Sequence, residues 1–177
     1  MIKIIAVALA VAVVAILVLA STRPDTFRVE RTARITAPPD KILSLVNDFH
    51  QWGVWSPYEK LDPTMKRTYA GAAAGKGAVY EWDGTAKAGK GRMEIIDAAA
   101  AKTVIQLDFS KPFTAHNTAE FTAVAQDEAT RVTWSMEGPS PFISKVMGLF
   151  FNMDKMIGAD FETGLANLKA AAEKASP

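Results

Sequence analysis

The sequence predicts an α+β fold in which a seven-stranded antiparallel sheet wraps around a long C-terminal helix, preceded by one N-terminal transmembrane helix. Three observations support this prediction. The chain begins with an uncharged apolar run at residues 4–20. Its middle consists of short segments that alternate apolar and polar residues between turn residues. Its last long stretch repeats apolar residues every three or four positions. The predicted domains are an anchor at 1–22 and a folded domain at 23–177.

The composition is that of an ordinary globular domain with a membrane segment added. The 177 residues are 49% hydrophobic and 22% charged, with a formal net charge of +1. Because positive and negative residues are nearly equal in number, the chain provides no strongly basic surface for binding nucleic acid. The chain contains no cysteine, which excludes disulfides, thiolate metal sites and a cysteine nucleophile. About 150 residues follow the apolar run, which is enough for one domain with a sizeable core.

The apolar run at residues 4–20 predicts a membrane anchor. As a helix it would be roughly 25 Å long at about 1.5 Å per residue, close to the ~30 Å hydrocarbon core of a bilayer. Lys3 can snorkel at one end. A cleaved signal peptide is the alternative, because Val18-Leu19-Ala20 carries the small residues of a cleavage site. The single lysine before the run and the length of the run favour the uncleaved anchor.

The charges leave open which side of the membrane carries the domain. Arg23 and three further arginines follow the apolar run, whereas one lysine precedes it, and the positive-inside bias would then hold the domain in the cytoplasm. However, the three later arginines fall in a predicted strand, and a short N-terminal anchor commonly leaves its domain outside. We expect a single-pass protein of the inner (cell) membrane, with the periplasmic side preferred to the cytoplasmic one.

The folded domain is predicted to begin with a strand and two short helices. Residues 26–36 alternate apolar and polar side chains, which indicates a half-buried strand. Two prolines end it, and residues 39–47 then carry helical spacing. A second short helix or turn follows and is stopped by Pro57. The predicted inward side chains of the strand are Phe27, Val29, Ala33 and Ile35.

Six further strands are predicted in the middle of the chain. Each alternates apolar and polar residues over a short length, and residues typical of turns separate them. Regular spacing of this kind indicates an antiparallel meander. The predicted strands occupy residues 65–70, 78–83, 91–97, 103–109, 114–125 and 131–137.

The last element is predicted as one long helix over residues 142–174. No proline interrupts its apolar spacing. Gly148, Gly158 and Gly164 each weaken a helix by about 1 kcal/mol relative to alanine. We interpret them as points where the helix closely approaches the sheet; flexibility where a ligand enters is the alternative. Since a curved seven-stranded sheet is not filled by one helix, we expect a cavity between the two.

Several short segments spread over residues 26–172 match the sequence pattern of one protein superfamily. They are Arg28-Val29-Glu30-Arg31, Ile35-Thr36-Ala37-Pro38-Pro39, Trp52-Gly53-Val54-Trp55-Ser56-Pro57, Gly89-Lys90-Gly91-Arg92-Met93, Asn117-Thr118-Ala119-Glu120-Phe121, Thr130-Arg131-Val132-Thr133-Trp134, Phe151-Asn152-Met153-Asp154-Lys155-Met156-Ile157-Gly158 and Asp160-Phe161-Glu162. By these segments the sequence resembles the polyketide cyclase/START-like (SRPBCC) superfamily, in its bacterial membrane-anchored branch. The resemblance implies the helix-grip fold. It specifies little chemistry, because that superfamily includes lipid carriers, hormone-binding proteins, cyclases and chaperone activators.

Strand parity predicts which side chains line the pocket. Alternate residues of a strand share one face, and the last helix contributes residues about one turn apart. The resulting lining is mostly apolar or aromatic, which suits an apolar ligand; simple core packing is the alternative for any one of these residues. The predicted ligand-binding residues are Arg31, Trp55, Tyr80, Trp82, Met93, Leu107, Phe109, Asn117, Phe121, Trp134, Met136, Phe150, Met153 and Ile157.

Arg31, Tyr80 and Asn117 are the polar members of this set. One hypothesis is that they orient the polar end of a ligand, such as an acid or a carbonyl group. The alternative for Arg31 is a structural ion pair near the rim of the sheet, with a carboxylate such as Glu162 or Asp160. An inward arginine without any partner would cost several kcal/mol.

No nucleophile and base assemble in the sequence. The two histidines are far apart, and strand parity places His116 on the outer face. We therefore expect no catalytic residues, no metal site and no cofactor. The favoured function is a membrane-tethered binding or carrier domain for a hydrophobic small molecule or lipid. A polyketide cyclase/dehydratase-like enzyme acting on an apolar substrate, and a protein-interaction module, are the alternatives.

Overall fold

The computed structural model describes residues 1–174, so the last three residues of the predicted domain, 175–177, lie outside the described residues. The N-terminal helix α1 (Ile2–Ser21) contains the predicted apolar run. By length and composition it can cross a membrane, and only 6% of its most apolar window is buried inside the protein. The hydrophobic core of the domain takes its residues from positions 29 to 172. The core therefore forms without side chains of α1.

The predicted seven-stranded antiparallel sheet is confirmed. Its strand order is β1-β7-β6-β5-β4-β3-β2, so the first and second strands form the two edges. Every neighbouring pair is antiparallel, and the six strands from β2 to β7 lie beside one another in chain order. The strands are β1 (Thr26–Ile35), β2 (Lys66–Gly71), β3 (Ala78–Asp83), β4 (Lys90–Ala99), β5 (Lys102–Lys111), β6 (Ala115–Gln126) and β7 (Ala129–Pro139).

Short helices connect the first edge strand to the second. Helix α2 (Pro39–Asn47) has the predicted bounds. It begins at a proline, whose fixed φ and missing N–H suit the first helical position. A 3₁₀ turn (Phe49–Gln51), helix α3 (Trp52–Trp55) and a second 3₁₀ turn (Pro57–Lys60) follow. These elements place several aromatic side chains over one end of the sheet.

The prediction of one continuous helix over residues 142–174 is wrong. The structure has two helices, α4 (Phe142–Met147) and α5 (Met153–Ala172), separated by five residues. Gly148 ends α4, and the side chain of Asn152 begins α5 by accepting a hydrogen bond from the backbone N–H of Lys155 at 2.9 Å. An asparagine at this position satisfies one of the free N–H groups of a helix start, which is the local reason for the new helix.

The interpretation of two glycines as points of close approach is confirmed. A Cβ atom on Gly164 would lie 2.6 Å from the ring of Trp134, and one on Gly158 would overlap the guanidinium of Arg31. Helix α5 thus lies directly on β1 and β7. Gly148 has a different role, because it lies at the end of α4 and faces only backbone of its own helix.

The expected cavity between helix and sheet is closed at the centre of the domain. The rings of Trp134 on β7 and Phe161 on α5 are stacked, with centroids 4.0 Å apart and planes 9° from parallel. Phe121 also stacks on Trp134, with ring centroids 4.9 Å apart, and Trp55 meets both rings edge-on. All four side chains are almost fully buried. Large aromatic rings fill the space that the curvature of the sheet creates.

Candidate ligand site

The inner face of the sheet is closed at one end and open at the other. Along β5, the inward side chains of Thr103 and Ile105 are 0% exposed, whereas the next two, Leu107 and Phe109, are partly exposed. Helix α2 packs on β5 and β6 at the closed end, and Trp52 of α3 meets Phe121 there edge-on. Apolar side chains on the inner face of the open end therefore remain in contact with solvent.

Two rows of side chains, which we call the open end, cross the sheet at this place. Their registers are fixed by the pairing of adjacent strands β3 to β6. Adjacent strands are about 4.8 Å apart, so the first and last members of a row are separated by about 14 Å. The first row is Tyr80, Met93, Leu107 and Asn117; the second is Trp82, Gly91, Phe109 and Ala115.

Two open clefts lie on the surface of the domain, one on the outer face of strands β2 to β6 and the other beside the start of β1. One, of about 470 Å³, is lined in part by Trp82, Gly91 and Phe109. The other, of about 510 Å³, is lined in part by Phe27 and Met153. We call the second one the portal cleft, because it lies between the start of β1 and the break that separates α4 from α5.

Asn117 gives the open end a buried polar atom. The residue is 8% exposed, and its side-chain amide oxygen has no hydrogen-bond partner among residues 1–174. Gly138 on the neighbouring strand leaves it room, since a Cβ atom there would overlap the amide oxygen. A buried acceptor without a donor costs about 1–3 kcal/mol. A ligand that carries a donor group would remove this cost.

Tyr80, at the other end of the row, is held by a carboxylate. Its hydroxyl donates to Glu59 at 2.6 Å, and Glu59 also accepts from Nε of Arg67 at 2.6 Å. Burial and this hydrogen bond raise the pKa of Tyr80 above its ordinary value, so the phenol stays protonated. Sequence reasoning missed Glu59 and Arg67, because neither lies on a predicted inward position and the pair forms only when a 3₁₀ turn meets an edge strand.

Arg31 is bound within the protein by several acceptors. Its Nε donates to Glu162 at 2.8 Å, and its terminal nitrogens donate to the carboxylate and the carbonyl of Asp154 and to the carbonyl of Glu30. These five bonds use all five N–H groups of a guanidinium. The alternative of an ion pair with Glu162 is therefore confirmed, whereas the second partner is Asp154 and not Asp160. Asp160 lies instead beside Tyr58, and burial raises the pKa of this carboxyl.

We expect Arg31→Met to lower the stability of the domain and to leave its affinity for an apolar ligand unchanged. Arg31 holds the pKa of Asp154 below its ordinary value. A lowered folded-state pKa stabilises the fold above the unfolded value of about 4, and the contribution is lost as the pH falls through the folded value. Urea midpoints of the variant and the wild type should thus differ at neutral pH and converge in acid. Weaker ligand binding by the variant would instead support the ligand role of Arg31.

The other predicted ligand residues divide into three groups. Phe150 and Met153 are 65% and 48% exposed, so the prediction that they face the sheet interior is wrong; the break before α5 turns them outward, toward the portal cleft. Leu107, Phe109 and Ile157 are partly exposed at the edge of the core. The predicted residues that are buried are Trp55, Tyr80, Trp82, Met93, Asn117, Phe121, Trp134 and Met136.

His116 lies on the outer face, as strand parity predicts. Its imidazole is paired with Asp108 at 2.7 Å, and its side chain is 70% exposed. The carboxyl of Asp108 comes from the neighbouring strand, directly opposite His116 in the register. This pair lines the outer cleft next to Phe109 but points away from the inner face.

Comparison with protein families yields one match that covers the folded domain. A family model described as "Polyketide cyclase / dehydrase and lipid transport" matches residues 26–173. The match starts at the first residue of β1 and ends just after α5, and leaves α1 outside. None of the curated proteins matches the chain in sequence.

Several solved structures share the fold at low sequence identity. The di-domain ARO/CYC protein BexL is 16% identical with a TM-score of 0.62, over 89% of this chain and 53% of BexL. A protein from Chromobacterium violaceum is 15% identical with a TM-score of 0.59, over 86% of this chain and all of the other. The Aha1 protein from Colwellia psychrerythraea is 14% identical with a TM-score of 0.57, over 83% and 96%. At such identities the likeness concerns the fold alone.

Proposed function

We propose that this member of the polyketide cyclase/dehydrase and lipid transport family is a membrane-tethered binding or carrier domain for a hydrophobic small molecule or lipid. The family is the one that its resemblance to the START-like superfamily implies. One observation carries the proposal. The open end presents the partly exposed side chains of Leu107 and Phe109 next to Asn117, whose buried amide oxygen has no partner among the described residues.

The chemistry of the open end indicates the class of ligand. Leu107 and Phe109 offer a partly exposed apolar surface, and contact with it would remove apolar area from water at about 25 cal/mol per Å². The amide oxygen of Asn117 accepts a hydrogen bond, so the ligand carries a donor such as a hydroxyl or a protonated carboxyl group. The proposed ligand is therefore an apolar chain or ring with one polar end.

Helix α1 supports the tether. Its length and apolar character suit a membrane span, and the core cluster of the domain contains none of its residues. Apart from Ala20, its side chains are largely exposed, so a bilayer is the environment that suits an apolar helix of this length. We place the domain at the periplasmic side of the inner membrane.

We expect Asn117→Leu to weaken binding of a fluorescent fatty alcohol, whose hydroxyl can donate to the amide oxygen, roughly 5-fold, because one hydrogen bond worth about 1 kcal/mol is lost. The same change removes the unpartnered acceptor, so the free energy of unfolding of the unliganded domain should stay equal or rise by up to about 1 kcal/mol. Fluorescence titration of a domain lacking α1 measures the first quantity, and urea unfolding measures the second.

Thr118→Leu is the matched control for this experiment. Thr118 is the next residue of β6 and points to the opposite face of the sheet, so the substitution adds the same side chain away from the open end. Its binding constant should equal that of the wild type. Equal binding by Asn117→Leu and wild type would contradict the assignment of Asn117 to the ligand site.

An enzyme of the cyclase or dehydratase type is the second candidate, favoured by the Tyr80–Glu59 pair. The phenol lies in the same row as Asn117 and is hydrogen-bonded to a carboxylate whose side chain is 9% exposed. The phenolic O–H would reach a substrate oxygen only if that oxygen replaced Glu59 as its acceptor. Tyr80→Phe distinguishes the two functions. If the domain is a carrier, the variant should bind its ligand as the wild type does. If the domain is an enzyme, the variant should no longer turn over a ketide-like substrate.

A further inference from the structure

An apolar surface lies outside the core at the end of the domain next to α1. It is formed by the outward side chains of α4, of the break that follows it and of the first turn of α5. Each of these side chains is between 46% and 65% exposed. We call this surface the juxtamembrane patch; its members are Phe142, Ile143, Met147, Phe150, Phe151, Met153 and Met156.

The juxtamembrane patch carries few charges. Between Phe142 and Met156 the charged residues are Lys145, Asp154 and Lys155, and Asp154 is paired with Arg31. The side chain of Lys145 is 9% exposed and is bound to the carboxylate of Asp25, a bond that lowers the pKa of this carboxyl. The exposed part of residues 142–153 is therefore apolar. A contiguous surface of this kind marks an interaction site for a protein or a membrane.

The position of the patch identifies a bilayer as its occupant. Helix α1 packs against α4, and its residue Ala20 is fully buried there. Five peptide steps separate the end of α1 at Ser21 from the first residue of β1, which limits their separation to less than about 20 Å. Asp25, in this linker, also accepts a hydrogen bond from the backbone N–H of Ser140 at 2.7 Å, just before α4. The linker thus holds the patch at the base of α1.

We propose that the juxtamembrane patch inserts into the surface of the bilayer that α1 spans, so that the portal cleft opens toward the lipid. This proposal depends on the membrane tether of the proposed function and not on the ligand-binding role. Apolar side chains of an interfacial helix bury about 5–10 Å into the boundary between headgroups and acyl chains. The break between α4 and α5 presents Phe150 and Phe151 to this layer. Arg23, which lines the portal cleft, lies where it can meet lipid phosphates.

The absence of native cysteine makes a direct test possible. Single cysteines replace Phe151 in the patch, Val124 on β6 and Val11 within α1, and each carries an environment-sensitive fluorophore. Val124 is 45% exposed and far from α4 in the sheet, so Val124→Cys is the control for an aqueous position. The full chain is reconstituted in vesicles of equimolar phosphatidylcholine and phosphatidylglycerol that contain a lipid with a quencher on its acyl chain.

We expect the lipid-borne quencher to reduce the fluorescence at positions 11 and 151 several-fold and to leave position 124 unchanged. Aqueous iodide should have the opposite effect. Quenching at position 11 alone would overturn the proposal and leave the tether intact. Quenching at neither position 11 nor position 151 would contradict both the patch and the tether. Protection of position 151 from lipid quencher and iodide alike would assign the patch to a protein partner or a second copy and overturn the proposal.

Discussion

Replacement of Phe161 by alanine is expected to reduce the free energy of unfolding of the domain by about 3–5 kcal/mol. Phe161 is 1% exposed and stacks on Trp134 at a centroid distance of 4.0 Å. Loss of the ring removes apolar contact and leaves a cavity at the only strong aromatic contact between α5 and the sheet among residues 1–174. Urea unfolding of the domain lacking α1, followed by tryptophan fluorescence, measures the effect.

Phe113→Ala is the control for this change. Phe113 is 76% exposed in the loop between β5 and β6, and a substitution there should shift stability by no more than about 0.5 kcal/mol. Equal effects at the two positions would mean that helix α5 does not depend on its contact with Trp134. The filled aromatic centre of the domain would then have to be abandoned.

Gly164→Leu should destabilise the domain by about 1–3 kcal/mol, although leucine is the better helix former. The first added carbon already lies 2.6 Å from the ring of Trp134 and 3.1 Å from Pro57. The new side chain therefore forces α5 away from the sheet. Chemical denaturation of the domain gives the change, and a reduced stacking signal of Trp134 in near-ultraviolet circular dichroism locates it.

Gly53→Leu is the matched substitution for the Gly164 variant. Gly53 lies in the exposed part of α3, and a Cβ atom there meets no other atom within 4 Å. Helix propensity then acts alone, and stability should stay constant or rise by up to about 1 kcal/mol. A stabilising effect at both glycines would show that the close approach of α5 and the sheet does not limit the size of residue 164.

Strands were predictable from the sequence because one face of each is buried. The alternation of apolar and polar residues fixes both the strand and the direction of its side chains, so the inward positions of β1 and the outward position of His116 follow from parity. Helix α2 was predictable because its start, at a proline, and its amphipathic spacing agree.

The C-terminal helix was less predictable because apolar spacing continues through the break. Leu149, Phe150 and Phe151 keep a pattern that suits a buried helix, yet Phe150 and Phe151 are exposed. Under the proposed insertion, these residues are apolar because they contact lipid, and a period of three or four cannot distinguish lipid from a protein core. Gly148 and Asn152 were the local signals for the break.

The candidate site was predictable in its apolar part and not in its polar contacts. Parity places Leu107, Phe109 and Asn117 on the inner face. The partners of a polar side chain depend on distant elements: Glu59 reaches Tyr80 from a 3₁₀ turn, and Asp154 reaches Arg31 from the start of α5. The centre of the expected cavity is filled because the rings of two distant elements stack there, which spacing along the chain does not reveal.

Native mass spectrometry of the domain, released from the membrane by proteolysis within residues 22–25, tests the central claim most directly. A carrier with the proposed open end should leave the membrane with one apolar molecule bound, and Asn117→Leu should lose that molecule at lower collision energy than Thr118→Leu. A domain that is released with no bound molecule, and that takes up none from vesicles of equimolar phosphatidylcholine and phosphatidylglycerol, would contradict the account.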